Sequence, residues 1–66
     1  MKTEVRVQSL DRAFDILSLL GSEQEGASLA YITERLALPK STVHRLLGVL
    51  SQRGFVRKSE RTGSYK

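Results

Sequence analysis

The sequence predicts a mainly α fold, three helices followed by a small β-hairpin, and three observations carry that prediction. Apolar residues recur at helical spacing in three separate runs. Pro39 stands just after the second run, where it biases Leu38 toward an extended backbone and forces the next helix off at a steep angle. Gly54 closes the third run and is followed by F-V-R-K, a polar S-E-R-T-G loop and S-Y-K, the pattern of a strand, a turn and a returning strand.

A chain of 66 residues makes one small domain. Such a domain buries only roughly 60% of its unfolded surface, so a simple core of marginal stability is expected. There is no cysteine, which removes disulfides and thiolate metal sites. No apolar run approaches the ~18 residues of a membrane span, and M-K-T-E-V-R lacks the apolar core of a signal peptide. A cytoplasmic protein with no membrane partner is the expectation.

The net charge of +4 is unevenly divided. Residues 1–34 hold three basic and six acidic residues, a balance of −3, whereas residues 35–66 hold eight basic residues against Glu60, a balance of +7. Positive charge gathered in one half is the footprint of a surface that binds a polyanion. An uneven scatter of charge on an ordinary soluble domain is the plainer alternative.

The elements follow in order. Residues 1–8 are polar, with Val5 and Val7 alternating, and are expected to form a flexible arm. Ser9 is expected to cap the first helix with its hydroxyl, with Asp11 placed where the helix dipole favours negative charge. Leu10, Ala13, Phe14, Leu17 and Leu20 form its expected buried stripe, with Ile16 at the edge and Gly21 at the end. Arg12 points away from that stripe, either toward a phosphate or into solvent near Asp15. Residues 21–27 make a polar connection, and Ser28 caps a short second helix with Leu29, Ile32 and Leu36 facing inward.

That helix ends near Ala37, and Pro39 suits the first position of the third. Thr33, Leu38, Val43 and Leu46 fall where a helix-turn-helix packs on itself. Ala37 occupies a turn position often given to glycine with positive φ. Adopting that conformation costs an alanine about 1 kcal/mol, and a turn of a different shape is the alternative.

The stretch from 39 to 54 organises the chain. Val43, Leu46, Leu47 and Leu50 recur at i, i+3, i+4 and i+7 and predict one buried stripe. Ser41, Arg45, Gly48 and Gln52 cluster on the opposite side, with Thr42 and His44 on the flanks. The segment contains no acidic residue. A helix face of hydroxyls, an imidazole and a guanidinium, with no carboxylate to repel phosphate, suits a DNA groove. The hairpin after it carries Arg57, Lys58, Arg61 and Lys66, as a wing on phosphates or in the minor groove would. A solvated hairpin whose cations discourage edge pairing is the alternative there.

Catalysis finds no support. His44 is the sole histidine, no acid stands beside it to orient the imidazole toward Ser41 or Thr42, and no glycine-rich phosphate loop occurs. With one histidine and no cysteine a metal site is not expected, nor is a cofactor.

These residues resemble a known family. V-Q-S-L-D-R-A-F-D-I-L, then L-P-K-S-T-V-H-R-L-L and G-F-V, with the closing R-T-G-S-Y-K, are similar to the DNA-binding domain of the IclR family of bacterial transcriptional regulators, over about residues 7–66. The resemblance implies a winged helix-turn-helix over residues 9–66, cut within its wing. A linker helix and an effector-binding domain would be absent from this chain. It also implies a homodimer or tetramer in the full-length protein, a double-stranded DNA operator, a small-molecule effector on the C-terminal domain, and a repressor's role, although activators occur in the family.

Carried over by position, the DNA-reading segment falls on Lys40, Ser41, Thr42, His44 and Arg45. Arg45 is the first candidate for a base contact, since a guanidinium grips guanine O6 and N7 with two hydrogen bonds. Ser41, Thr42 and His44 stand beside it as base readers, while Arg12, Lys40, Arg57, Lys58, Arg61 and Thr62 are assigned to phosphates or the wing. Gly48 departs from the longer polar residue usual there. Its absence of side chain either removes a contact or lets the backbone approach the groove. Two other functions compete: a winged-helix module for a protein partner, and nonspecific nucleic-acid binding. The first calls for an exposed apolar patch or an acidic recognition helix. The second has no use for hydroxyls and imidazole beside the arginine.

Overall fold

Three helices carry the structure: α1 (Gln8–Gly21), α2 (Leu29–Leu36) and α3 (Lys40–Gln52). They come from a computed structural model that describes residues 7–66. Each helix packs on the other two. Ile16, Ile32, Val43 and Leu47 are fully buried at their meeting point, with Leu20, Ala27, Leu50, Val56 and Tyr65 closing around them. All three helices therefore feed one core, as a chain of this length requires.

The start of α1 differs from the expectation. Val7, not Ser9, is the capping residue; it is extended, and its side chain makes no capping hydrogen bond. Its carbonyl accepts the Asp11 N–H at 2.9 Å, which draws Gln8 and Ser9 inside the first turn. Of the arm expected over 1–8, residues 1–6 lie outside the described residues.

The buried face of α1 is also rotated from the expected one. Ile16 and Leu20 are its buried residues, flanked by the half-buried Ala13, Leu17 and Leu19, while Leu10 and Phe14 remain 50% and 56% exposed. Packing against both α2 and α3 sets the buried arc, and it centres on Ile16 rather than on Leu10–Phe14.

In α2 the expected cap forms: the Ser28 hydroxyl accepts the Tyr31 N–H at 3.1 Å. Ile32 is buried, with Leu29 and Leu36 half-buried beside it. Tyr31 donates its hydroxyl to Glu23 at 3.0 Å, and that bond, before any other cause, holds the phenol above its usual pKa.

The turn into α3 takes the strained form. Ala37 is left-handed, φ 54° and ψ 46°, the one non-glycine at positive φ among the described residues. Leu38 N–H then reaches back to Thr33 O at 3.2 Å. Pro39 stands one place earlier than expected, as the extended capping residue of α3 with φ −61° and ψ 144°. Its carbonyl receives the Val43 N–H at 3.1 Å. A proline has no N–H to leave unpaired there, so the position costs nothing.

After α3 the small β-hairpin of the expectation is not formed as paired strands; among the described residues there is no strand. The chain instead makes single antiparallel bridges, with Tyr65 paired to Lys58 on one side and to Ala27 on the other. Arg57 and Lys66 exchange both backbone hydrogen bonds, at 3.0 and 2.8 Å, and Ala27 and Tyr65 do the same at 2.9 and 2.7 Å. Beyond the bridge Ser59 N–H bonds Ser64 O at 2.8 Å, and Ser59–Gly63 forms the turn: Gly63 N–H bonds Ser59 O at 2.7 Å and Thr62 N–H bonds Ser59 Oγ at 3.3 Å. The Ala27 bridge ties the segment before α2 to the end of the chain. Gly26 makes it possible, with φ 85° and a position where a Cβ would lie 2.6 Å from the Tyr65 carbonyl oxygen.

Candidate nucleic-acid interface

The sequence of α3 divides the helix lengthwise. Val43, Leu47 and Leu50 go into the core, Leu46 is half-buried beside them, and Ser41, His44, Arg45, Gly48 and Gln52 are left exposed. Lys40 is exposed at the amino end and Thr42 half-buried on the flank. Four of the expected reading residues, Ser41, Thr42, His44 and Arg45, are thus brought onto adjoining positions of two successive turns, backed by the buried Val43, Leu47 and Leu50.

The amino end of α3 adds a second feature. No side chain caps it, and no acid stands in its first turn. The first-turn amides and the helix dipole therefore favour an anion at Lys40–Thr42, where Lys40 supplies a full positive charge. Nothing in this helix opposes a phosphate.

The basic residues after α3 form a second group. Arg57, Lys58, Arg61, Thr62 and Lys66 are all exposed. The Arg57–Lys66 pairing sets two cations side by side, and both line an open groove of about 500 Å³ with Ser51, Gly54, Phe55 and Val56. Lys58 Nζ lies 5.7 Å from the centre of the Tyr65 ring, so part of its charge already has a partner within the fold. Thr62 is engaged internally: its hydroxyl accepts the Ser64 N–H at 3.3 Å, which makes it a turn-forming residue first. Arg12 is half-buried on α1, an element that belongs to neither group.

One residue on the open face of α3 escapes the sequence argument. Val49 is 49% exposed, four residues after Arg45 and so about 40° from it around the helix. An apolar side chain beside a guanidinium suits the C5-methyl of thymine. The signal lay in the same helical projection, but the apolar character of Val49 argues for the core unless the buried arc is known to be narrow.

Three helices with a left-handed turn between the second and third, and a third helix whose carboxylate-free face is open to solvent, define a helix-turn-helix domain. The family model for the IclR helix-turn-helix domain matches residues 9–60, and the chain belongs to that family. It is 41% identical over 59 residues to the DNA-binding transcriptional repressor YiaJ of Escherichia coli, covering 89% of this chain and 21% of that protein. It is 38% identical over 60 residues to the glycerol operon regulatory protein of Streptomyces coelicolor, covering 91% and 24%. Against the transcriptional repressor IclR of Escherichia coli it is 35% identical over 60 residues, covering 91% and 22%. The chain spans about a fifth to a quarter of the length of these relatives. Among solved structures it is similar to the ORF112-Zalpha chain of Cyprinid Herpesvirus3, whose structure concerns its binding mode to Z-DNA. That match has a TM-score of 0.77 and 32% identity, and covers 85% of this chain and 90% of that one. No helix among the described residues is long and apolar enough to cross a membrane.

Proposed function

We propose that this domain binds a double-stranded DNA operator and regulates transcription, with α3 in the major groove. The observation that carries the reading is the open face of α3. Ser41, His44 and Arg45 are exposed on it, its amino end bears Lys40 and no acid, and the buried Val43, Leu47 and Leu50 fix it from behind. Arg45 reads guanine, Ser41, Thr42 and His44 contact neighbouring base edges, and Lys40 with the α3 amino end holds a phosphate. Arg57, Lys58 and Arg61 form a basic wing on the backbone or in the minor groove, Thr62 shapes its turn, and Arg12 adds backbone neutralisation from α1.

By resemblance to the family, the reading extends to a repressor that works as a homodimer or tetramer in the cytoplasm. Its small-molecule effector binds on a C-terminal domain. The names of the YiaJ and IclR relatives support repression, since both are called repressors. A binding module needs no cofactor, and this reading is not that of an enzyme. The match to ORF112-Zalpha favours a second reading, in which the same helix meets left-handed DNA.

One experiment separates these readings. Duplexes enriched by the domain from a randomised library are titrated beside a scrambled duplex and a Z-form CG repeat, at two salt concentrations. The operator reading predicts a preference for the enriched duplex that survives the higher salt. Equal affinities that collapse together with salt leave only charge at work, and tighter binding of the Z-form repeat transfers the function to the second reading.

A further inference from the structure

Of the five glycines in the chain, three are called for by positive φ and one stands at a helix end. Gly26, Gly54 and Gly63 hold positive φ, and Gly21 is the last residue of α1. Gly48 is different. It sits in the interior of α3, its φ lies outside the left-handed region, and a Cβ built on it meets nothing within 4 Å. Nothing among the described residues asks for a glycine there, and a glycine in a helix interior is disfavoured against alanine.

Its position gives the reason. Gly48 is exposed, three residues after Arg45 and seven after Ser41, so it continues the open face by one further turn. Val49, also on that face, is the apolar neighbour. The third turn of α3 is thus bare and uncharged, where the first two carry hydroxyls, imidazole and guanidinium. A helix lying in a groove can close the gap to the DNA with a side chain that reaches across or with its own backbone, and an exposed glycine permits the second.

We infer that Gly48 is the close-approach point of α3: its Cα hydrogens pack directly against the sugar or base-edge surface of the groove, and the missing Cβ sets how deeply Arg45 and Val49 enter. The inference rests on the DNA-binding reading and adds a specificity-determining position to it. Its signature is a pair of effects of opposite sign. A methyl at position 48 strengthens the helix and fills space that the DNA occupies.

The test compares Gly48→Ala and Gly48→Gln with the parent domain, using the duplex enriched from the randomised library and a scrambled duplex. Arg45→Ala serves as the reference for lost base contact. Gly48→Ala is expected to raise Tm by roughly 4–8 °C and to weaken binding to the enriched duplex by about tenfold. Gly48→Gln loses at least as much, and binding of both variants to scrambled DNA stays near that of the parent. If both variants bind the enriched duplex as tightly as the parent while Arg45→Ala binds it weakly, the close approach is wrong and the DNA reading stands. If the parent prefers no duplex over scrambled DNA, both are overturned.

Discussion

Helices α1 and α3 carry the same kind of apolar spacing, yet the sequence defines the buried face of one and not of the other. In α3 the residues Val43, Leu46, Leu47 and Leu50 occupy an arc of about 100°, and apart from Val49 everything outside it is polar or glycine. One orientation satisfies that helix. In α1 the apolar residues Leu10, Ala13, Phe14, Ile16, Leu17, Leu19 and Leu20 extend over more than half the circumference. Two overlapping stripes fit equally well, and contact with both other helices selects the one through Ile16 and Leu20. A narrow apolar arc fixes a helix by itself; a wide one leaves the choice to its neighbours.

That contrast has consequences of graded size. Leu47 is fully buried at the centre of the α3 arc, so Leu47→Ala should cost about 2–5 kcal/mol. A core this small supplies about 3–5 kcal/mol in all, and circular dichroism should find the variant largely unfolded at ambient temperature. Retained cooperative unfolding near the parent midpoint would mean that α3 is not the keystone of the core.

Gly26→Ala comes next, at about 2–4 kcal/mol in urea unfolding, because it combines positive φ with a close approach to the Tyr65 carbonyl. A loss below half a kcal/mol would show that the Ala27–Tyr65 bridge contributes little to holding the end of the chain on the core.

Ala37→Gly has the opposite sign. Relief of the left-handed alanine should stabilise the domain by about 0.5–1 kcal/mol after the added freedom of the unfolded chain is deducted. A destabilised variant would mean that the Ala37 methyl makes contacts that outweigh its strain.

The smallest effect bears most directly on the contrast. Phe14, placed in the buried stripe by spacing alone, is 56% exposed. Phe14→Ala should therefore move the unfolding free energy of the domain by no more than about 0.5 kcal/mol. A loss comparable to that of Leu47→Ala would restore the Leu10–Phe14 stripe as the buried face.

Much of this structure is legible in the chain, for identifiable reasons. The span of α3 comes from its proline, its narrow stripe and Gly54, each a local signal. The Ser28 cap is local too, and so is the position of the turn at Ala37, though its left-handed form is one of two that the sequence allows. The rotation of α1 is not, because its neighbours decide it. Ser9 fails as a cap for a related reason: once Val7 carbonyl accepts from Asp11, the serine is already inside the helix. The hairpin rests on composition, which marks a turn but does not say how many residues pair on either side. On the candidate interface, the exposure of Ser41, His44 and Arg45 follows directly from helix geometry, with Thr42 half-buried on the flank. Val49 does not, because apolar character usually signals the core, and Thr62 proves to be occupied with its own turn.

The central claim is that the open face of α3 reads bases rather than merely meeting phosphate. Arg45→Ala tests it most directly, titrated against the enriched and scrambled duplexes at one salt concentration. Arg45 is exposed and remote from the core, so the variant should fold like the parent. Base reading by Arg45 predicts a loss of about 1–3 kcal/mol on the enriched duplex and a far smaller loss on scrambled DNA. Equal losses on both duplexes would place Arg45 on a phosphate and contradict base reading by α3.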